Sequence, residues 1–102
     1  MNEKIKVNTK KEAEELLNIS REEIDKIDHE ILELISKRTK LAKSIMYAKK
    51  ILDRNIYDEE RERVVHENIK KMATQKNMDE DVILKVMTLL MKLSKDTQKN
   101  LE

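Results

Sequence analysis

The chain is expected to be all-α, with three helices and a very long first one, and three observations carry that expectation. Its 102 residues include no Gly and no Pro, so the usual residues of tight β-turns and hairpins are missing. Lys, Glu, Leu, Ile and Asp dominate, a set that favours helices over strands. A single stripe of positions then advances by alternating steps of three and four residues: Ile24, Ile27, Ile31, Leu34, Arg38, Leu41, Ile45, Ala48 and Leu52. That spacing lines one face of an α-helix.

The elements follow in order. Residues 1–8 read as a mobile N-terminal tail and residues 9–102 as one helical domain. Thr9 with Glu12 makes a capping box and starts the first helix near residue 10. Ser20 with Glu23 makes a second box, which leaves open a short helix and a break at Asn18–Ser20. Ala13, Leu17, Ser20 and Ile24 stay in phase across that point and favour one helix to about residue 51. A short polar linker, Asp53 to Tyr57, precedes a second helix from near Asp58 to about Gln75, opened by three acids that suit the positive end of its dipole. The third helix starts near Asp79 and runs to the C-terminus.

A first helix of some 42 residues is about 63 Å long. A compact chain of this size has a radius of gyration of only about 13 Å. The apolar stripe therefore calls for a partner helix, and an intertwined two-fold homodimer supplies it. A looser three-helix monomer is the alternative.

Composition excludes several classes. Charged residues are 42% of the chain but nearly cancel, to a formal net charge of +1. No long block of one sign exists, so no nucleic-acid partner is expected. The lack of Cys excludes a disulfide scaffold and a thiolate zinc site. His29 and His66 lack ligand spacing, so no metal or other cofactor is expected. No apolar run approaches a membrane span and no signal peptide is seen, which points to a cytoplasmic location with no membrane partner. Tyr47 and Tyr57 read as half-buried packing residues, and Met72, Met87 and Met91 as core filler.

Candidate functional residues interrupt the apolar faces. Arg38 stands where the stripe calls for Leu or Ile. Its guanidinium needs an anion if buried, and its planar fork suits a carboxylate. An internal Arg–Glu pair, or a side chain snorkelling at the core edge, serves as well. Lys49 lies three turns further along the same helix, and Arg21 one turn before Ile24. Asp58, Arg61 and Glu62 share a face that continues through Val65, Ile69 and Met72. Ser94 and Gln98 continue the face of Ile83, Met87 and Leu90. Each helix thus turns from apolar to polar along a core-facing line, which suggests a polar pocket between helices.

In this order the residues resemble the all-helical chorismate mutases. The segment Arg21-Glu22-Glu23-Ile24-Asp25-Lys26-Ile27-Asp28 looks like that family's opening R-x-x-I-D-x-I-D. Arg38 and Lys49 follow, eleven residues apart, then Asp58-x-x-Arg61-Glu62, then Ser94-x-x-x-Gln98. The resemblance spans about residues 13–101. Departures are an N-terminal extension of some ten residues and a first loop without the proline often found there.

The resemblance implies conversion of chorismate to prephenate in aromatic amino-acid biosynthesis, the shikimate pathway, by an isomerase. It also implies a homodimer whose long first helices pair and whose active sites are shared. In this rearrangement a C–O bond breaks while a C–C bond forms, with no proton transfer, nucleophile or metal. The site has to hold a flexible dicarboxylate in a reactive conformer and stabilise charge on the ether oxygen. By resemblance Lys49, Gln98 and Arg38 are the catalytic residues, and Arg21, Asp58, Arg61, Glu62 and Ser94 bind substrate. Arg38 and a partner-chain Arg21 would grip the carboxylates. Lys49 and Gln98 would face the ether oxygen, Glu62 the ring hydroxyl, and Ser94 a carboxylate. Two alternatives remain: an isochorismate pyruvate lyase on the same fold, and a non-catalytic helical dimerisation or regulatory module.

Overall fold

The computed structural model describes residues 7–101. It contains α1 (Lys10–Leu52), α2 (Glu59–Gln75) and α3 (Glu80–Lys99), and no strand among the described residues. Of the expected tail, residues 1–6 lie outside the described residues, and Val7 and Asn8 are exposed and irregular. Among the described residues no helix is long and apolar enough to cross a membrane.

The chain divides into two compact units, Met1–Leu34 and Ile35–Glu102, with the boundary inside α1. The first unit is the N-terminal part of α1. Thr9 Oγ1 accepts the Glu12 amide at 3.1 Å, and the Glu12 carboxylate accepts the Asn8 amide at 3.1 Å. Reciprocal capping therefore starts the helix, with Glu12 reaching one residue beyond the cap. No break occurs at residues 18–20, where the helix is continuous. Arg21 is exposed, and so are Ile24, Ile27 and Ile31, each about half accessible.

The second unit holds the rest of α1, the linker, α2 and α3. Asp58 caps α2 by accepting the Arg61 amide, and Asp79 caps α3 by accepting the Val82 amide. α1 and α2 each end on a residue in the left-handed region, Asp53 and Asn77, both at φ 54°. At each end two amides turn back on the last helical carbonyls. Asp53 and Arg54 donate to Lys50 and Lys49, and Asn77 and Met78 donate to Thr74 and Ala73. This is the Schellman pattern, normally built on Gly. A chain without Gly uses Asp and Asn, the residues that tolerate this conformation best.

α2 and α3 pack against one another. Among the described residues the buried apolar ones are Ala42, Met46, Ala73 and Met91. The inward line of α1 in this unit is thus Ile35, Arg38, Ala42, Met46 and Lys49, rotated from the nine-position stripe. Leu41, Ile45 and Leu52 of that stripe stay exposed. On α2 the inward line runs Val65, Ile69, Ala73, and Met72 is exposed rather than core. On α3, Met87 is half-buried and Met91 buried, as expected of filler. Both tyrosines are more exposed than expected. His29 is a surface residue near Glu33, and His66 is half-buried.

Candidate active site

A cleft of about 870 Å³ lies in the second unit, between the C-terminal part of α1, the linker, the start of α2 and the last two turns of α3. Seven of the eight residues singled out in the sequence line it: Arg38, Lys49, Asp58, Arg61, Glu62, Ser94 and Gln98. Arg21 is in the other unit and does not.

Each side chain is set by its helix position. Arg38 and Lys49 are eleven residues apart, three turns, and so share the inward face of α1. Arg38 Nη1 donates to Leu90 O at 2.8 Å and to Ser94 Oγ. Ser94 Oγ in turn donates to Leu90 O, the back-bond of a helical serine. Arg38 therefore engages α3, and the internal Arg–Glu pair that the sequence allowed is not formed.

Lys49 Nζ donates to Ile56 O in the linker and to Gln98 Oε1 at 3.1 Å. Gln98 is only 5% exposed and is the one buried polar residue among the described residues. Since an ammonium can only donate, this contact fixes which end of the amide is oxygen. The Nε2 end keeps its protons, and among the described residues it has no acceptor. Ammonium and amide thus meet on the cleft wall as adjacent donors.

The opposite charge sits at the start of α2. Asp58 accepts the Arg61 amide on one carboxylate oxygen and so fixes the helix start. Glu62, one turn on, is half-buried and accepts from Lys95 Nζ at 2.9 Å. Arg61 is exposed at the cleft rim. Lys95 and Tyr57 also line the cleft, with the Lys95 ammonium 5.5 Å from the Tyr57 ring centre. Sequence reasoning missed both. The signal for Lys95 was its place one turn after Met91, on the inward side of α3. Away from the cleft, Glu60 and Glu67 hold the Arg63 guanidinium protonated even more firmly than usual, and Lys92 holds the Asp96 carboxyl below its usual range. Among the described residues no three His, Asp or Glu side chains gather as a metal ion would require.

A cleft with two cations and an amide on one wall and a carboxylate on another suits a polyanionic molecule that also carries a hydroxyl. Known proteins converge on the same point. Residues 20–99 match the family model described as chorismate mutase type II. A chorismate mutase of Methanocaldococcus jannaschii is 38% identical over 79 residues, covering 78% of this chain and 80% of that protein. A bifunctional chorismate mutase/prephenate dehydratase of Buchnera aphidicola is 33% identical over 81 residues, covering 79% of this chain but 21% of that longer protein. A solved structure from Pyrococcus furiosus, described as a conserved hypothetical protein, superposes with a TM-score of 0.62 at 31% identity, covering 81% of this chain and 95% of that one. This chain therefore belongs to the type II chorismate mutase family.

Proposed function

We propose that the cleft is a chorismate mutase site and that the chain rearranges chorismate to prephenate. The observation that carries this reading is the meeting of Lys49 Nζ and the buried Gln98 amide at 3.1 Å. Two preorganised donors in a partly dry wall match an ether oxygen that gains negative charge as its C–O bond breaks. Lys49 also reaches toward a carboxylate, and Arg38, beside Ser94, takes the same or the second carboxylate. Glu62 accepts the ring hydroxyl, with Asp58 and Arg61 fixing the start of its helix. The protein's part is to hold one compact conformer and to stabilise charge.

Arg21 enters from a second chain in this reading. It lies 17 residues from Arg38 along α1, about 26 Å of helix rise, which no small dicarboxylate spans. Pairing α1 antiparallel with a second copy brings the two arginines together and covers the exposed stripe. The site is then shared in a homodimer.

The test is loss of the ultraviolet absorbance of chorismate with purified protein, with products separated by chromatography. Prephenate is the expected product; release of pyruvate from isochorismate without turnover of chorismate would replace the reading. Lys49→Ala, kept folded, is expected to lower both kcat and kcat/KM by about a hundredfold or more. Near-normal turnover in that variant would remove Lys49 from the mechanism.

A further inference from the structure

We propose that Lys95 is a positioning residue of this site. It pins one oxygen of Glu62 so that the other is presented to the ring hydroxyl of the substrate. The inference rests on the chorismate reading above.

Most ion pairs in the structure are solvated. Lys26–Glu23, Arg63–Glu60, Arg63–Glu67 and Lys92–Asp96 link neighbouring turns of one helix, with both side chains roughly half exposed or more. Pairs of that kind contribute little. Lys95–Glu62 differs in three respects. It joins α3 to α2 across 33 residues of sequence. Its side chains are 34% and 24% exposed, the most enclosed of the ion pairs among the described residues. Both partners line the cleft.

Lys95 is itself held from a third element. Its ammonium lies 5.5 Å from the centre of the Tyr57 ring, and Tyr57 belongs to the linker. A cation over an aromatic face is attracted to it, which restrains an otherwise flexible side chain. Lysine thereby ties the linker, α2 and α3 together at the carboxylate end of the cleft.

The geometry divides the work of Glu62 between its oxygens. Oε1 accepts from Lys95 at 2.9 Å, and Oε2 accepts nothing among the described residues. An ionised carboxylate has about four acceptor positions, so a held Glu62 still accepts a hydroxyl. The cations of α1 are engaged elsewhere, Arg38 with Leu90 and Ser94 and Lys49 with Ile56 and Gln98. Among the described residues Lys95 is the cation bonded to Glu62.

The ring hydroxyl is not at the breaking bond, so its contact acts equally on bound substrate and transition state. Loss of Lys95 should therefore appear in KM more than in kcat. The experiment measures both constants for the wild-type chain, Lys95→Met, Lys95→Arg, Glu62→Gln and the Lys95→Met/Glu62→Gln double variant, each with its melting temperature. Lys95→Met is expected to raise KM about tenfold with kcat changed less than about threefold, and Lys95→Arg to restore most of the loss. In the Glu62→Gln background, Lys95→Met should cost markedly less than in the wild-type chain, since a neutral amide oxygen gives Lys95 a weaker hold on residue 62. An undiminished effect of Lys95→Met in that background overturns the proposal, as direct contact of Lys95 with substrate or a general packing role would produce it. Wild-type constants in Lys95→Met overturn it too. If Lys95→Met does not fold, the Lys95→Arg pair of constants decides, and a KM unrestored in a folded Lys95→Arg counts against the proposal. A wild-type chain inactive on chorismate removes the functional reading and this inference with it, whereas an active chain that fails the double-variant test removes only this inference.

Discussion

In our proposal Gln98 concentrates the chemistry of the site in one neutral side chain. It is 5% exposed and its oxygen is occupied by Lys49, which leaves its amide protons as the donor that our proposal gives to the ether oxygen. A neutral amide donates at any ordinary pH. Gln98→Glu replaces it with a group that donates only when protonated. Ionised, that carboxylate would stand against the developing negative charge. Activity of this variant should therefore be highest at acid pH and fall as pH rises through the carboxyl's pKa. Initial rates across pH check this: a flat profile with full activity would show that Gln98 does not face the oxygen. Arg38 illustrates a different point at the same scale. The sequence showed that this cation interrupts an apolar face, but not what it meets. The partners, Leu90 O and Ser94, lie more than fifty residues away in the chain.

At the scale of elements, helix ends position the site. The Schellman turn at Asp53 aims the linker so that Ile56 O reaches Lys49, and the Asp58 cap sets Arg61 and Glu62 at the cleft. The same turn at Asn77 lies outside the cleft and gives a clean stability test. A residue with a Cβ is strained in the left-handed region, and Asn is strained less than Ala. Asn77→Ala is expected to lower stability by about 1 kcal/mol, and Asn77→Gly to match or exceed the parent. Urea unfolding midpoints decide, and an unchanged midpoint in Asn77→Ala would mean that this end of α2 is not under the constraint. The starts of these helices carry a plainer sequence signal than their stops. Acids at the starts of α2 and α3 are a direct local signal. The stops lack the glycine that normally marks them.

For the molecule as a whole, the feature to explain is an apolar stripe that a single chain leaves half exposed, from Ile24 to Leu52. Burying a large aliphatic side chain is worth about 1.5–3 kcal/mol, so a second copy along this seam would gain substantially. The proposed shared site makes a quantitative prediction. Arg21→Ala and Lys49→Ala dimers should each be nearly inactive. When the two are unfolded and refolded together in equal amounts, about half the dimers are mixed. Each mixed dimer has one site with both defects and one with neither, so about a quarter of all sites regain wild-type activity. No recovery in a mixture shown to contain mixed dimers would mean that Arg21 serves its own chain or no site.

The helices, their order and nearly all their boundaries could be read from the chain, because helix periodicity and capping are local and depend on residues within a few positions. So could the membership of the cleft: Arg38, Lys49, Asp58, Glu62, Ser94 and Gln98 each stand out as polar groups on an inward face. Pairings between elements were not legible, since they depend on how far each helix is rotated about its axis. That rotation buries Ala42, Met46 and Ala73 in place of Ile45 and Met72. It joins Lys49 to Gln98, and it turns Lys95, which looks in the sequence like one more solvated lysine, onto Glu62 and Tyr57. Periodicity names the face of a helix to within a residue or so, whereas a hydrogen bond demands placement within a few tenths of an ångström, and only the tertiary arrangement, with α2 packed on α3 and the end of α1 bonded to α3 and the linker, supplies it.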